Sequence, residues 1–286
     1  IQNLLGQEFE TILFDARKCI HLEALAIAAG TLKMNGVLIV LLSNWEELHS
    51  QIDEDSLRWS GSLEAIATPR FMTYFKHCIH KYGFPILYHQ NDLKFDRTFQ
   101  REFVNHNATL DQQKIIEQIL QKESELYFLT AKRGRGKSAL AGLLANQLDA
   151  LIYLTAPNKS AVKILAEFSQ KEIIFIAPDE LFLALQNDPS FSENAWLFVD
   201  EAAMLPIAQL TAFFHHFKHI LFTTTIHSYE GTGRGFELKF KQKINRTFSD
   251  FELIEPLRWA KDDALEEFID ELLLLDVEDE FKQIPY

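Results

Sequence analysis

The chain has 286 residues, 47% of them hydrophobic, and a formal net charge of −13. This is enough length and apolar content for two cores of ordinary size, while the acidic balance excludes a nucleic acid held by the whole surface and leaves only a local basic patch for one. Cys19 and Cys78 are too few for a disulfide framework and lack a paired zinc spacing.

No apolar run approaches the roughly 20 residues that cross a bilayer, and the start of the chain has no basic-then-apolar signal pattern. A soluble protein of the reducing cytoplasm is expected. The chain opens "IQNLLGQEF" without an initiator Met, as expected of a piece of a longer protein.

In chain order, "TILFDA" (11–16) and "GVLIVLLS" (36–43) read as buried parallel strands. "HLEALAIAAGTL" (21–32) reads as the helix between them and "NWEELHSQ" (44–51) as a helix after them. This alternation predicts an α/β fold with an N-terminal Rossmann-like domain over residues 1–106. "TILFDA" is followed by no phosphate-binding glycine loop, so no dinucleotide site is expected there. The polar, weakly periodic stretch 91–108 carries the boundary.

Over residues 107–286 the alternation strengthens. "LYFLTA" (126–131), "LIYLTAP" (151–157), "IIFIAP" (173–178), "WLFVDEA" (196–202) and "HILFTTT" (219–225) predict strands, and helices are expected at 137–148, 159–169 and 206–217. The expected second domain is a RecA-like P-loop NTPase fold with a mostly parallel sheet.

"LTAKRGRGKSAL" (129–140) is a phosphate-binding loop between strand and helix, with Gly134, Arg135, Gly136, Lys137, Ser138 and Ala139 in place. In such a loop backbone N–H groups and the helix N-terminus face phosphate, the Lys reaches the outer phosphates and the Ser hydroxyl binds Mg2+. Ala131 stands where the usual pattern has its first glycine, which is acceptable where the backbone keeps a negative φ. "LFVDEAAML" ends an apolar strand on Asp200 and Glu201, the positions of a magnesium carboxylate and of the acid that orients or deprotonates attacking water.

Asp-Glu-Ala-Ala resembles the second motif of helicase-type RecA folds. One strand later, where that class carries a hydroxyl sensor of the γ-phosphate, stand Thr223, Thr224 and Thr225, which are either that sensor or ordinary strand residues. Upstream, "TLDQQKIIEQIL" (109–120) stands where helicase-like folds carry a glutamine that reads the adenine edge, which the resemblance assigns to Gln112 or Gln113; solvated helix glutamines are the alternative.

"HSYEGTGRGFELKFKQKINRTF" (227–248) is the one dense basic run in an acidic chain. Arg234, Lys239, Lys241, Lys243 and Arg246 make it either an RNA-facing surface or a solvated face. The groups His215, His216, His219 and His77, Cys78, His80 lack the spacing of a zinc site.

"LTAKRGRGKSALAG", "LFVDEAAMLP", "TTTIHSYEGTGRGF" and "EPLRWAKDDALEEF" together resemble the bacterial tRNA(Met) cytidine acetyltransferase family, and "LLGQEFETILFDA" resembles the opening of its N-terminal domain. The alanine at the first loop position belongs to that family's pattern. The resemblance implies ATP and Mg2+ as cofactors and elongator methionine tRNA as partner. It also implies acetyl-CoA, used only by the full-length protein to acetylate N4 of the wobble cytidine.

The resemblance further implies that Gln112 contacts the nucleotide, that residues 134–139 cradle phosphate, that Asp200 and Glu201 serve magnesium and water, and that Arg258 of "EPLRW" contacts ATP. Arg258 is either a cis arginine finger or a structural arginine stacked on Trp259. The transferase domain's acetyl-CoA loop is not found in this sequence, so the chain is expected to hydrolyse ATP without transferring acetyl groups. A helicase-type translocase and a nucleotide-gated RNA-binding module are the competing readings.

Overall fold

The computed structural model describes residues 4, 7–88, 108–122, 125–132, 134–157, 159–225, 240–241, 244–255 and 263–275. Described residues up to 88, together with 263–275, form one compact unit, and described residues 108–255 form the other.

The first unit opens with a βαβ element. Strand β1 (Phe9–Asp15), helix α1 (Leu22–Gly30) and strand β2 (Leu32–Leu41) follow one another, and the two strands pair in parallel with Leu13 beside Ile39. The alanine-rich sequence of α1 favours helix and lets it approach closely, and Ala24 through Gly30 are all buried. His21 caps its start by accepting the Ala24 N–H at 3.2 Å.

The helix expected over 44–51 is absent, and only a single 3-10 turn forms at Leu48–Ser50. The Asn44 side chain accepts the Glu46 N–H and Lys76 Nζ takes the Trp45 carbonyl at 3.0 Å, so local side chains satisfy backbone groups that a helix would have used. A short hairpin of β3 (Ile52–Asp53) and β4 (Ile66–Ala67) encloses helix α2 (Ser56–Trp59). Helix α3 (Pro69–Lys81) follows, with Pro69 at its first turn.

The second unit runs α4 (Leu110–Gln121), β5 (Leu126–Ala131), α5 (Lys137–Ala145), β6 (Leu151–Thr155), α6 (Ser160–Phe168), β7 (Ile174–Phe175), α7 (Pro178–Asn187), β8 (Ala195–Val199), α8 (Ile207–His216), β9 (His219–Thr225) and β10 (Phe248–Leu253). Among the described residues its six strands lie in the order β10-β5-β9-β8-β6-β7, every neighbouring pair parallel. Continuous apolar runs suit strands covered on both faces. One core packs residues of α4 and α5 with Leu165 of α6 against Tyr127, Leu129 and Leu221. The other packs residues of α7 and α8 against Phe128, Phe222 and Val199. Each such buried side chain contributes roughly 1.5–3 kcal/mol of burial free energy.

Sequence reading overlooked β10. Ser249, Phe251 and Leu253 are buried while Phe248, Asp250 and Glu252 are exposed. That period-two alternation marks a half-covered edge strand.

The last described helix, α9 (Ala264–Leu272), falls within the expected second domain, 107–286, yet its contacts are with the first unit. Phe268 meets Phe75, Tyr82 and Phe84 edge-on, at centroid separations of 6.2, 6.1 and 5.2 Å. Lys81 and the Tyr82 hydroxyl both donate to the Glu271 carboxylate, and the Tyr74 hydroxyl donates to the Glu271 carbonyl. The expected boundary near 106 lies outside the described residues.

Candidate nucleotide site

The site forms where the carboxyl ends of β5, β9 and β8 lie side by side, the edge at which open parallel sheets bind ligands. Ala131 is the last residue of β5, fully buried and paired with both Thr225 and Leu253. A strand residue in extended backbone has no need of glycine, which explains the alanine. Gly134 and Gly136 do need to be glycine, with φ of 75° and 79°. Gly136 ends the loop as the N-cap of α5, so the free N–H groups of that helix's first turn open onto the loop. Arg135 and Ala139 are buried within it.

Lys137 and Ser138 begin α5. Lys137 Nζ donates to Thr225 Oγ1 at 2.9 Å and lies 3.8 Å from Glu201 Oε1. Ser138 Oγ donates to Asp200 Oδ2 at 3.2 Å. Thr223 donates its hydroxyl to the other oxygen of Asp200. The Thr225 hydroxyl donates to the Glu201 carboxylate at 2.8 Å, and the Thr225 N–H reaches it at 3.3 Å.

Burial raises the Asp200 pKa above its ordinary value, and the adjacent Glu201 adds to the rise. Thr223, Lys137 and Ser138 oppose it by favouring the charged form.

A magnesium ion would find two hard oxygen donors, Ser138 Oγ and Asp200 Oδ2, already adjacent. Mg2+ bound to nucleotide characteristically takes one or two protein oxygens and completes its shell with phosphate and water, so the donor set fits. Among the described residues, no group of three or more His, Cys, Asp or Glu is arranged to hold a metal by itself.

Gln112 lies at the loop, with its amide engaged by the protein. Thr109 and Gln112 form a reciprocal capping box at the start of α4, and Gln112 Nε2 donates to the Gly136 carbonyl at 3.1 Å. The Thr-x-x-Gln spacing carried that signal in the sequence. Gln113 donates to the Ala108 carbonyl.

In the basic run, Lys241 pairs with Asp250 at 2.5 Å and lies over the Phe128 ring. Arg246 donates to the carbonyls of Phe214, Phe217 and Lys218 and to Glu125. Arg246 therefore serves the end of α8, a role that sequence reasoning missed. Arg234, Lys239, Lys243 and Arg258 lie outside the described residues.

Fold and site define a helicase-like α/β domain of the P-loop class. Residues 128–276 match the family model described as RNA cytidine acetyltransferase NAT10/TcmA, helicase domain, and residues 1–90 match tRNA(Met) cytidine acetyltransferase TmcA, N-terminal. The chain belongs to the RNA cytidine acetyltransferase family.

It is 63% identical over 284 residues to the tRNA(Met) cytidine acetyltransferase TmcA of Haemophilus influenzae, covering 99% of this chain and 43% of that protein. A relative of the same name from Actinobacillus pleuropneumoniae is 39% identical over 286 residues, covering 98% of this chain and 48% of that protein. The chain thus spans less than half the length of these two relatives. Among solved structures, one of Pif1 helicases at forked double-stranded DNA superposes with a TM-score of 0.39 and 16% identity, over 55% of this chain and 46% of that one. A likeness of that size carries no functional argument. No helix among the described residues is long and apolar enough to cross a membrane.

Proposed function

We propose that this chain is the ATP-hydrolysing portion of a cytoplasmic tRNA(Met) cytidine acetyltransferase. The whole enzyme would use ATP and acetyl-CoA to acetylate N4 of the wobble cytidine of elongator methionine tRNA, through an acetyltransferase domain beyond this sequence. The observation that carries the reading is the convergence of Lys137, Ser138, Asp200, Glu201 and Thr225 at one edge of the sheet.

In this reading residues 134–139 wrap the phosphates with backbone N–H groups, and Lys137 places its charge on the outer ones. Ser138 and Asp200 would hold Mg2+, which supplies neutralising charge at the phosphate oxygens. Glu201 orients a water and accepts its proton as the water oxygen bonds to the γ-phosphorus. The bond to the β–γ bridging oxygen breaks, and ADP leaves with that electron pair. Gln112 steadies the loop through Gly136 and contacts the nucleotide from there, and Arg258 contributes a further positive charge. Turnover would reposition the tRNA so that a base can leave its stack, at a cost of a few kcal/mol. Arg234, Lys239 and Lys243 are the proposed phosphate contacts on RNA, and Lys241 would join them by giving up Asp250.

The test is ATP hydrolysis by this chain with and without elongator methionine tRNA, with Lys137→Ala as blank. Turnover that tRNA stimulates and the mutation abolishes is the expected result. Hydrolysis indifferent to tRNA would move RNA sensing elsewhere in the longer protein, and strand displacement by the chain would favour a translocase instead.

A further inference from the structure

Strand β9 ends in three consecutive threonines, and alternation along a strand sends the first and third to one face. Thr223 takes Asp200 and Thr225 takes Glu201, so each member of the acidic pair has its own hydroxyl from the neighbouring strand. Thr224 points to the other face, where its buried hydroxyl has no hydrogen-bond partner among the described residues.

Glu201 also has an unusual backbone. Its φ and ψ are both 48°, in the left-handed region, one residue beyond Asp200 and two beyond the end of β8. A residue other than glycine held there is strained and persists only where its surroundings determine it. Thr225 supplies that determination twice over, with its N–H at 3.3 Å and its O–H at 2.8 Å from the Glu201 carboxylate. The same hydroxyl accepts Lys137 Nζ, leaving its own proton directed at Glu201.

We infer that Thr225 is a positioning residue acting through Glu201: its hydroxyl and amide hold the carboxylate at the angle needed to orient water, instead of contacting the γ-phosphate directly. The inference rests on the reading of this site as a hydrolase. It separates two roles for the same residue. A γ-phosphate sensor helps the enzyme distinguish ATP from ADP, whereas a positioning residue changes turnover and leaves that distinction intact.

The experiment compares Thr225→Val, Thr225→Ser and Thr224→Val for ATP turnover and for ATP and ADP affinity, with thermal melts to confirm folding. Valine at 225 is expected to lower kcat about 100-fold, the scale of a misplaced general base. KM and the ratio of ATP to ADP affinity should stay within about 3-fold, because valine breaks the contact to Glu201. Lys137, which also donates to this hydroxyl, has the phosphates as partner in the bound state of the proposed site. Serine retains the hydroxyl and is expected to restore turnover to within about 3-fold of wild type, and Thr224→Val to leave it unchanged.

Because the effect passes through Glu201, Thr225→Val placed on Glu201→Gln should remove almost nothing further. An ATP-selective loss of affinity in Thr225→Val, a full additional rate loss on the Glu201→Gln background, or wild-type kcat in Thr225→Val would each overturn the inference while leaving the hydrolase reading standing. A wild-type chain that turns over no ATP, with or without RNA, would overturn both.

Discussion

His219 is the first residue of β9, and its ring stacks on Trp196 with centroids 4.9 Å apart and planes 13° apart. Its Nδ1 is buried without a hydrogen-bond partner among the described residues. Burial holds its pKa below the ordinary 6.5, Lys218 and Arg246 push it the same way, and Glu125 pulls against them. The unfolded chain thus binds this proton more readily than the folded one. The stability associated with neutral His219 is complete above about pH 6.5 and is lost as pH falls through the depressed folded value. His219→Phe keeps the aromatic stack and removes the titration. Urea midpoints at pH 7.5 and pH 5 should differ less in the variant than in the wild type; equal differences would show that His219 does not contribute to acid sensitivity.

Gly136, Lys137, Ser138, Asp200 and Glu201 of the candidate site could be singled out one by one, because they fall in short motifs whose chemistry is local. The Gln112 contact with Gly136 and the Thr225 contact with Glu201 were not, since each depends on a partner 24 positions away.

At the scale of elements, Arg246 does for α8 what the helix does not do for itself. Its guanidinium takes the carbonyls of Phe214 and Phe217 near the helix end and that of Lys218 beyond it, where a cation also meets the negative end of the helix dipole. Arg246→Met keeps much of the aliphatic stem and orphans those acceptors. A loss of about 2–3 kcal/mol is expected from charged hydrogen bonds of this kind, read as a lower urea midpoint with an unchanged slope.

The charge run in the sequence showed only that cations cluster there, not that one of them closes a helix. Strands β5 and β9 were readable to the residue as apolar runs bounded by polar turns. The edge strand β10 was not, because Ser249, Asp250 and Glu252 dilute its apolar signal. The 44–51 segment failed in the opposite direction, with a helical pattern overridden by Asn44 and Lys76.

The described residues fall into two compact units, and α9 belongs to the first. Phe268 is 3% exposed amid three aromatic rings, and Phe268→Ala is expected to cost that unit about 3–5 kcal/mol. If the proposed ATP site is used, calorimetry should show ATP with Mg2+ raising the transition of residues 108–255. Saturation at 100 times Kd corresponds to about 2.7 kcal/mol. In Phe268→Ala the transition of the first unit should move down while ATP affinity is retained. Loss of ATP binding in that variant would contradict the division.

The sequence by itself determined the α/β class, the glycine loop before α5, the acidic pair after β8 and the family, because these are written in contiguous stretches where backbone period and motif chemistry act over a few residues. Tertiary structure alone decided the strand order that sets β9 between β5 and β8. It also decided the assignment of Thr223 to Asp200 and Thr225 to Glu201, and the docking of α9 on α3. Ser138 and Asp200 are 62 positions apart, Lys137 and Thr225 are 88 apart, and Tyr74 and Glu271 are 197 apart. Pairings of that span are selected by sheet order and by the packing of distant apolar faces, which no local window of sequence contains.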